Sequence, residues 1–379
     1  MSTSWFVRSA SDRLDARRIE IARTRRGLTK LELGQQLGVT ARTITKYEAE
    51  GAPASAATAL ASVLEFPEGY FTRCNAPLVE ASGVSFRAAR RATARQREAA
   101  AAAGVLGVEI NDWVSARFML PGLDLPDFHG DSARAVAVLL RAMWGLGTKP
   151  LPNLVQLCES RGIRVYTLPP FADAVDAYSI WYEGVPYIFL ARRKTPERIR
   201  FDLAHELGHL LLHRDVQAET TAHEREADVF ASEFLIPSDS IVEYLRYNPN
   251  VAELLEVKYQ FKVSAMALAY ATHAAGRMSD WAYRQTCIEL SQRGFRCAEP
   301  AGMSNYEMSR VFPQVLSGVQ GAPVSARLIA TELHVPVSEV HALTFGAELR
   351  SAQNTEAAQY TPADQRRAPQ SAKPQLQIV

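Results

Sequence analysis

Apolar positions along the first 65 residues recur at helical spacing and are broken by glycine or proline at short intervals. Leu14, Ile19, Ile21 and Ala22, with the Arg17-Arg18 pair on the polar side, predict an amphipathic helix ending at Gly27. Thr29 can cap a second helix carrying Leu31, Leu33 and Leu37, which Gly38 stops. Thr40 can cap a third, Ala41 to Ala49, with Ile44 and Tyr47 as its apolar positions and Gly51-Ala52-Pro53 as its end. A fourth apolar helix runs from Ala56 to Leu64. Residues 81–104 change character: Arg87, Arg90, Arg91, Arg95 and Arg97 precede an alanine run that Gly104 ends. Both residue types favour helix, so an exposed basic connecting helix is expected. Its charge reads equally as a solvated face or as a contact to a DNA backbone.

From 105 the pattern is helical through Trp144, apart from a proline-rich break at 121–126. Three short β-prone runs follow, 162–166, 177–182 and 186–190, enough for one small sheet. The last of these could offer an edge to an extended peptide. Helices are expected at 196–213 and 223–235, and helical pattern prevails from 240 to about 350. Residues 351–379 are polar and proline-containing and read as a disordered tail. No internal repeat is visible.

A chain of 379 residues exceeds one ordinary core and suggests about two or three domains. With 47% hydrophobic and 22% charged residues, wholesale disorder, collagen-like repeats and a coiled coil are excluded as descriptions of the whole. No apolar run approaches the ~20 residues of a membrane span, and the N-terminus lacks the apolar core of a secretory signal. The four cysteines show no CxxC spacing. A cytoplasmic protein that binds no membrane is the expectation. The net charge of +1 conceals an asymmetry: residues 1–97 hold 16 Lys+Arg against 9 Asp+Glu, a balance of +7, and the remainder carries −6. A basic front on an acidic body suggests that only the first part meets nucleic acid.

The strongest chemical signal is His205-Glu206-Leu207-Gly208-His209. Histidines at i and i+4 share one helical face and can hold one zinc ion, while Glu206 beside them can take a proton from water on that metal. Phe201, Leu203, Ala204, Leu207, Leu210 and Leu211 make the helix apolar, so the imidazoles and carboxylate are expected inside, where a metal would satisfy them. Satisfied core histidines are the bland reading, which the clustering of four of the eight histidines between 205 and 223 weakens. His213 continues the series, but ligands spread over two full turns would lie ~12 Å apart, so it reads as packing or as support behind a ligand. The metzincin spacing fails, because Asp215 stands where its distal histidine would be.

A third ligand is better sought on the next helix. Its buried face is defined by Ala227, Phe230, Ala231 and Phe234, and Glu224 falls on that face whereas Glu226 does not. His223 stays as an alternative ligand. Asp228, one turn after Glu224, can accept a hydrogen bond from a ligating histidine, His205 above all. An ordinary amphipathic helix with an acidic first turn is the competing reading. Tyr178, Tyr182, Tyr187 or His223 could stabilise an oxyanion during hydrolysis.

These residues carry a resemblance. RIRFDLAHELGHLLLH followed by EREADVFASEFLIP, with VPYIFL before and FKVSAMAL after, resembles the ImmA/IrrE family of zinc metallopeptidases over about residues 150–300. The resemblance implies that His205, His209 and Glu224 bind Zn2+, that Glu206 is the general base, and that the substrate is a repressor protein whose loss switches on stress-response or mobile-element genes. Where an Arg-Leu pair would be expected after Leu268, the chain has Ala271-Thr272. The N-terminal LTKLELGQQLGVTARTITKYEAEGAP resembles the helix-turn-helix of Xre (Cro/C1-type) repressors, with Lys30 where glutamine is usual. In such a module Thr40, Arg42, Thr43 and Lys46 would face the major groove, Arg42 reading guanine and Lys30 favouring the backbone. A helical protein-interaction module is the alternative. Residues 325–346 look faintly like another such helix pair and carry no DNA-binding assignment.

The expected architecture is mainly α with a small β-sheet (α+β): a helix-turn-helix domain at 1–80, a basic linker at 81–104, a gluzincin-like metallopeptidase domain at 105–278, a helical region at 279–350 and a tail. The expected function is a DNA-binding regulator, a homodimer by analogy with readers of two-fold operators, with a zinc endopeptidase that cuts a repressor or its own linker. The competing function is a non-proteolytic repressor or antitoxin-like protein with a structural or sensory zinc site.

Overall fold

The computed structural model describes residues 13–78, 85–87, 92–128, 131–214, 220–295, 299, 302–318, 324–347 and 377–378. Four short helices open the chain: α1 (Ala16–Arg25), α2 (Lys30–Leu37), α3 (Ala41–Glu50) and α4 (Ala57–Leu64). Their ends are set locally. Asp15 accepts from the Arg18 amide, Thr29 and Glu32 form a reciprocal capping box, and Thr40 accepts from the Thr43 amide. Between α2 and α3, Gly38 adopts φ 69°, the left-handed conformation that ends a helix without a Cβ penalty. Ile19, Ala22, Leu33, Ile44, Leu60 and Leu64 fill the space between these helices.

The basic excess of this segment is largely used inside the molecule. Arg18 pairs with Glu109 at 2.7 Å, and Arg73 reaches the same carboxylate at 3.1 Å. Arg25 and Arg26 both pair with the buried Glu339, at 2.9 and 2.8 Å, while Arg23 is bonded to Glu48. The asymmetry in net charge therefore reflects ion pairs that join the N-terminal helices to the rest of the chain. It is a weaker pointer to nucleic acid than the charge count suggested. Removing one partner from such a desolvated pair costs roughly 3–5 kcal/mol.

The expectation of an exposed basic helix over 81–104 is corrected. Residues Ser85–Arg87 form a strand, β1, and the helix α5 (Ala94–Ser115) starts only after the Thr93–Gln96 capping box. Residues 79–84 and 88–91, with Arg90 and Arg91, lie outside the described residues. Nor is α5 exposed: every residue from Ala99 to Asn111 is buried. Alanine favours helix, and its small side chain also permits close approach. A Cβ on Gly107 would come within 2.6 Å of the Phe189 ring. The run that read as a solvated rod is a packing surface.

The main sheet has the order β1-β4-β5-β3, with β3 (Arg164–Thr167), β4 (Ala177–Tyr182) and β5 (Val185–Leu190). β4 and β5 form an antiparallel hairpin through Glu183-Gly184, both at positive φ, the turn that matches strand twist. β3 runs parallel to β5, and β1 pairs antiparallel with β4 in the register Ser85↔Ser179, Phe86↔Tyr178, Arg87↔Ala177. The expected edge at 186–190 is thus an interior strand, because β3 and β4 occupy both its sides. Alternation along β4 divides its side chains between two layers. Tyr178 donates to the Ala100 carbonyl on α5, whereas Ser179 and Trp181 bond to Glu206 and the Leu210 carbonyl of α8 (Pro196–Leu212) on the other face.

Helix α9 (Thr221–Leu235) packs along α8, and α6 (Ala133–Met143) covers α9, with Arg141 donating to the Phe234 carbonyl at 2.5 Å. The remaining helices are α7 (Leu154–Ser160), α10 (Ser238–Tyr244), α11 (Val251–Phe261), α12 (Ala265–Ala274), α13 (Asp280–Gln292), α14 (Val311–Ser317), α15 (Ala326–Leu333) and α16 (Val337–Leu343). The protein is mainly α with a small sheet, as the pattern predicts. Among the described residues no helix is long and apolar enough to cross a membrane. The expected tail falls almost wholly outside the described residues. Its Gln377–Ile378 pair forms a strand, β6, against β2 (Phe118–Met119).

Candidate metal centre

Helix α8 buries His205, Glu206 and His209 completely or nearly so. It can approach α9 closely because position 208 is glycine: a Cβ there would stand 3.0 Å from the Phe230 ring and 3.3 Å from the Ala227 Cα. That closeness brings α9's polar stripe over the two histidines. His205 Nε2 and His209 Nε2 are 3.0 Å apart, and Glu224 places one carboxylate oxygen 3.6 Å from the first and the other 3.4 Å from the second. His205, His209 and Glu224 are the group of potential ligands that the described residues bring together, each offering an atom within 4.8 Å of the others.

The opposite ring nitrogens decide how these imidazoles present themselves. His205 Nδ1 lies 2.9 Å from Asp228 Oδ1, where it donates. His209 Nδ1 lies 3.0 Å from His213 Nδ1, and His213 Nε2 lies 2.9 Å from Glu226 Oε2. The consistent proton arrangement runs one way: His209 Nδ1–H donates to His213, and His213 Nε2–H donates to Glu226. His213 is held below the usual histidine pKa, chiefly by desolvation, with the charge of neighbouring histidines adding to it against the pull of Glu226. That direction favours the neutral ring the arrangement uses.

With both Nδ1 atoms donating, both Nε2 lone pairs point at one spot, facing each other and a carboxylate. Such a cluster is repulsive without a cation. Tetrahedral zinc with bonds of about 2.0–2.1 Å needs donors about 3.3–3.4 Å apart, and the three separations bracket that value. The residues fit the ion. Without an ion the imidazoles can instead take up protons at Nε2, and their hydrogen bonds and charge, against partial burial, then pull the Glu224 carboxyl well below the usual range. An ionised Glu224 is the state that binds a metal.

Ser179 on β4 donates to Glu206 Oε2 at 2.8 Å and so fixes the carboxylate beside the two imidazoles. Nothing in the sequence marked this serine, since it lies in another element 27 residues earlier. His213, read from spacing as packing or as support behind a ligand, is bonded to His209, and Glu226, which stays out of the metal cluster, ends that chain of hydrogen bonds; only the pairing with Glu226 was not legible. His223 faces His213, ring centroids 4.6 Å apart, and its Nδ1 accepts from the Thr220 amide in the α9 cap. It is not among the grouped ligands.

The reading of Tyr178 or Tyr187 as an oxyanion donor is corrected. Both lie on the face of the sheet against α5, where Tyr178 is bonded to Ala100 and Tyr187 accepts from Asn111 at 2.9 Å. Burial drives both phenols far above the usual tyrosine range. Tyr182 shares their side by strand alternation.

At the N-terminal end, Arg42 and Lys46 are exposed on α3, and Lys46 is 3.9 Å from Glu50. Lys30 is 3.1 Å from Glu48. The Thr40 and Thr43 hydroxyls bond each other at 2.9 Å, and Thr40 also caps the helix. Thr40, Arg42, Thr43 and Lys46 thus lie at the start and along the outer side of α3, whereas Lys30 stands at the far end of α2, half-buried against Glu48.

Residues 158–273 match a family model described as Peptidase_M78, the IrrE N-terminal-like domain. The match spans the sheet from β3 onward, the two histidines, Glu206 and Glu224, and supports a metallopeptidase-type domain of the ImmA/IrrE kind. It does not reach the N-terminal helices. No curated protein matches the chain.

Proposed function

We propose that this chain is a zinc-dependent endopeptidase joined to a DNA-reading helical module, and that it controls gene expression by cutting a repressor-type protein. The observation that carries the reading is the convergence of His205, His209 and Glu224 with Glu206 held beside them by Ser179. A structural zinc site needs ligands but no adjacent buried base. Zinc at this place would polarise the scissile carbonyl and acidify water.

The chain's own groups supply the rest. Glu206, steadied at one oxygen by Ser179, takes the proton from the attacking water and hands it to the departing amine. Asp228 and the His213–Glu226 pair keep the two imidazoles turned so that Nε2 faces inward. On α3, the mutual bonding of Thr40 and Thr43 leaves Arg42 and Lys46 as the side chains with reach, Arg42 toward a guanine edge and Lys46 toward a base or phosphate. Lys30 favours the backbone, and a second copy would supply the other half-site of an operator.

The test is incubation of zinc-loaded protein with cell extract, comparing wild type with Glu206→Gln by mass spectrometry of new protein termini. Wild type should generate termini in a specific protein and the variant, still holding about one zinc per chain, should not. Equal cleavage by both would rule out Glu206 as the base. Zinc bound without any new termini in wild type would favour a non-proteolytic regulator.

A further inference from the structure

The sheet has two edges, and they differ sharply in their distance from Glu206. One is β3, separated from β4 by β5, so about 10 Å farther away at the usual strand spacing. The other side of β4 lies beside the base itself: Ser179 of β4 holds the Glu206 carboxylate through its own hydroxyl. An extended peptide that adds a strand to this sheet near the base must use the backbone groups of β4 on that side.

The half of that side nearest Ser179 and Ala177 is already taken. Ser85–Arg87 run antiparallel to Ala177–Ser179, and Ser85 stands directly opposite Ser179, about 4.5–5.5 Å away between Cα atoms. The same connector meets β4 at its other end, where the Leu78 amide is hydrogen-bonded to the Tyr182 hydroxyl. Ser85–Arg87 themselves run antiparallel to β4, the direction a guest strand would take.

We infer that the outer edge of β4 is the strand-accepting surface for the protein substrate, and that Ser85–Arg87 of this chain occupies it as a tethered competitor. The inference rests on the peptidase reading for its consequence, although the binding it describes does not require hydrolysis. A tethered segment acts at an effective concentration in the millimolar range, so a free peptide of equal intrinsic affinity is excluded until the connector leaves. Because the connector is covalently continuous with the α1–α4 helices, whatever moves those helices changes access to the site.

The experiment uses the full chain in the Glu206→Gln background, so that nothing is cut, and a fluorescein-labelled peptide with the sequence of residues 82–90. Anisotropy is measured for that chain and for the same chain carrying Ser85→Pro. The Ala191 amide bonds the Asp176 carbonyl, so by alternation it is Ser179, not Tyr178, that turns its backbone groups toward β1, and proline opposite it removes a ladder amide. The proline variant should bind the peptide at least tenfold more tightly. Equal affinity, within twofold, would overturn the inference, and weaker binding would show that β1 is itself the platform. As an independent arm, Arg87→Cys with Ala177→Cys, neighbours in the register, should bind the peptide when reduced and lose it when oxidised. Equal binding in both states would overturn the inference even if Ser85→Pro failed to fold. Peptide capture at a vacated edge, in a protein that generates no termini in extract, would separate failure of the peptidase reading from failure of this one.

Discussion

Replacing Asp228 by Asn tests whether the residues behind the imidazoles set metal affinity. Asp228 Oδ1 accepts from His205 Nδ1 at 2.9 Å, and its side chain is 50% exposed. A hydrogen bond to a charged group contributes about 1.5–3 kcal/mol when shielded. Water at a half-exposed carboxylate reduces that to roughly 1–1.5 kcal/mol, a factor of about 5–13 in affinity. Asn keeps the shape and an acceptor but loses the charge, so Asp228→Asn should weaken zinc binding by about that factor. Asp228→Ala should fall within the 10–100-fold typical of such supporting groups. Glu224→Ala removes one of three donors and should exceed both. The assay is competition against a chromogenic zinc chelator at neutral pH, with circular dichroism to verify that each variant is folded. An Asp228→Asn affinity within twofold of wild type would refute the role given to Asp228. An unchanged affinity in Glu224→Ala would remove the third ligand and the fit to tetrahedral zinc with it.

Three further outcomes follow from the same structure. Glu339→Gln should leave Arg25 and Arg26 without their buried counter-charge and cost roughly 3–5 kcal/mol in urea unfolding, whereas a loss below about 1 kcal/mol would show that this ion cluster does not hold the N-terminal helices. Burial raises the Glu159 carboxyl to about 7, outweighing hydrogen bonds from Ser309, Arg310 and Val311. A folded-state pKa above the unfolded value means that the group favours the folded state when protonated. Its stabilisation is full below about pH 4.5 and is lost as pH rises through 7, so the stability difference between wild type and Glu159→Gln should fall across pH 5–8; a flat difference would contradict the shift. Arg42→Ala should lose about 1–3 kcal/mol of discrimination at one base pair in an operator-selection experiment, and an unchanged profile would exclude base reading by that residue.

How much of this was legible beforehand depends on the range of the interactions involved. Helix starts at Lys30 and Ala41 could be read from Thr29 and Thr40, because a cap is satisfied within four residues. The shared face of His205 and His209 is likewise a property of one helix, and Glu224 could be placed by the apolar residues of its own helix. The errors arose where local chemistry has two uses. Alanine makes a helix and also a close-packing surface, so α5 looked exposed and is buried. Arginine contacts phosphates and also carboxylates, so a basic segment turned out to be fastened to Glu109 and Glu339.

The amino-acid order by itself determined most of the helices, the histidines able to share a metal and the carboxylate set between them, because periodicity, capping and ligand spacing are encoded within a few turns of chain. Only the tertiary structure decided that Ser179 holds Glu206, that His213 and Glu226 stand behind His209, and that Ser85–Arg87 lie along β4. Those contacts join segments separated by other elements, and which partners meet depends on strand order and on which faces are buried, quantities that no local pattern contains.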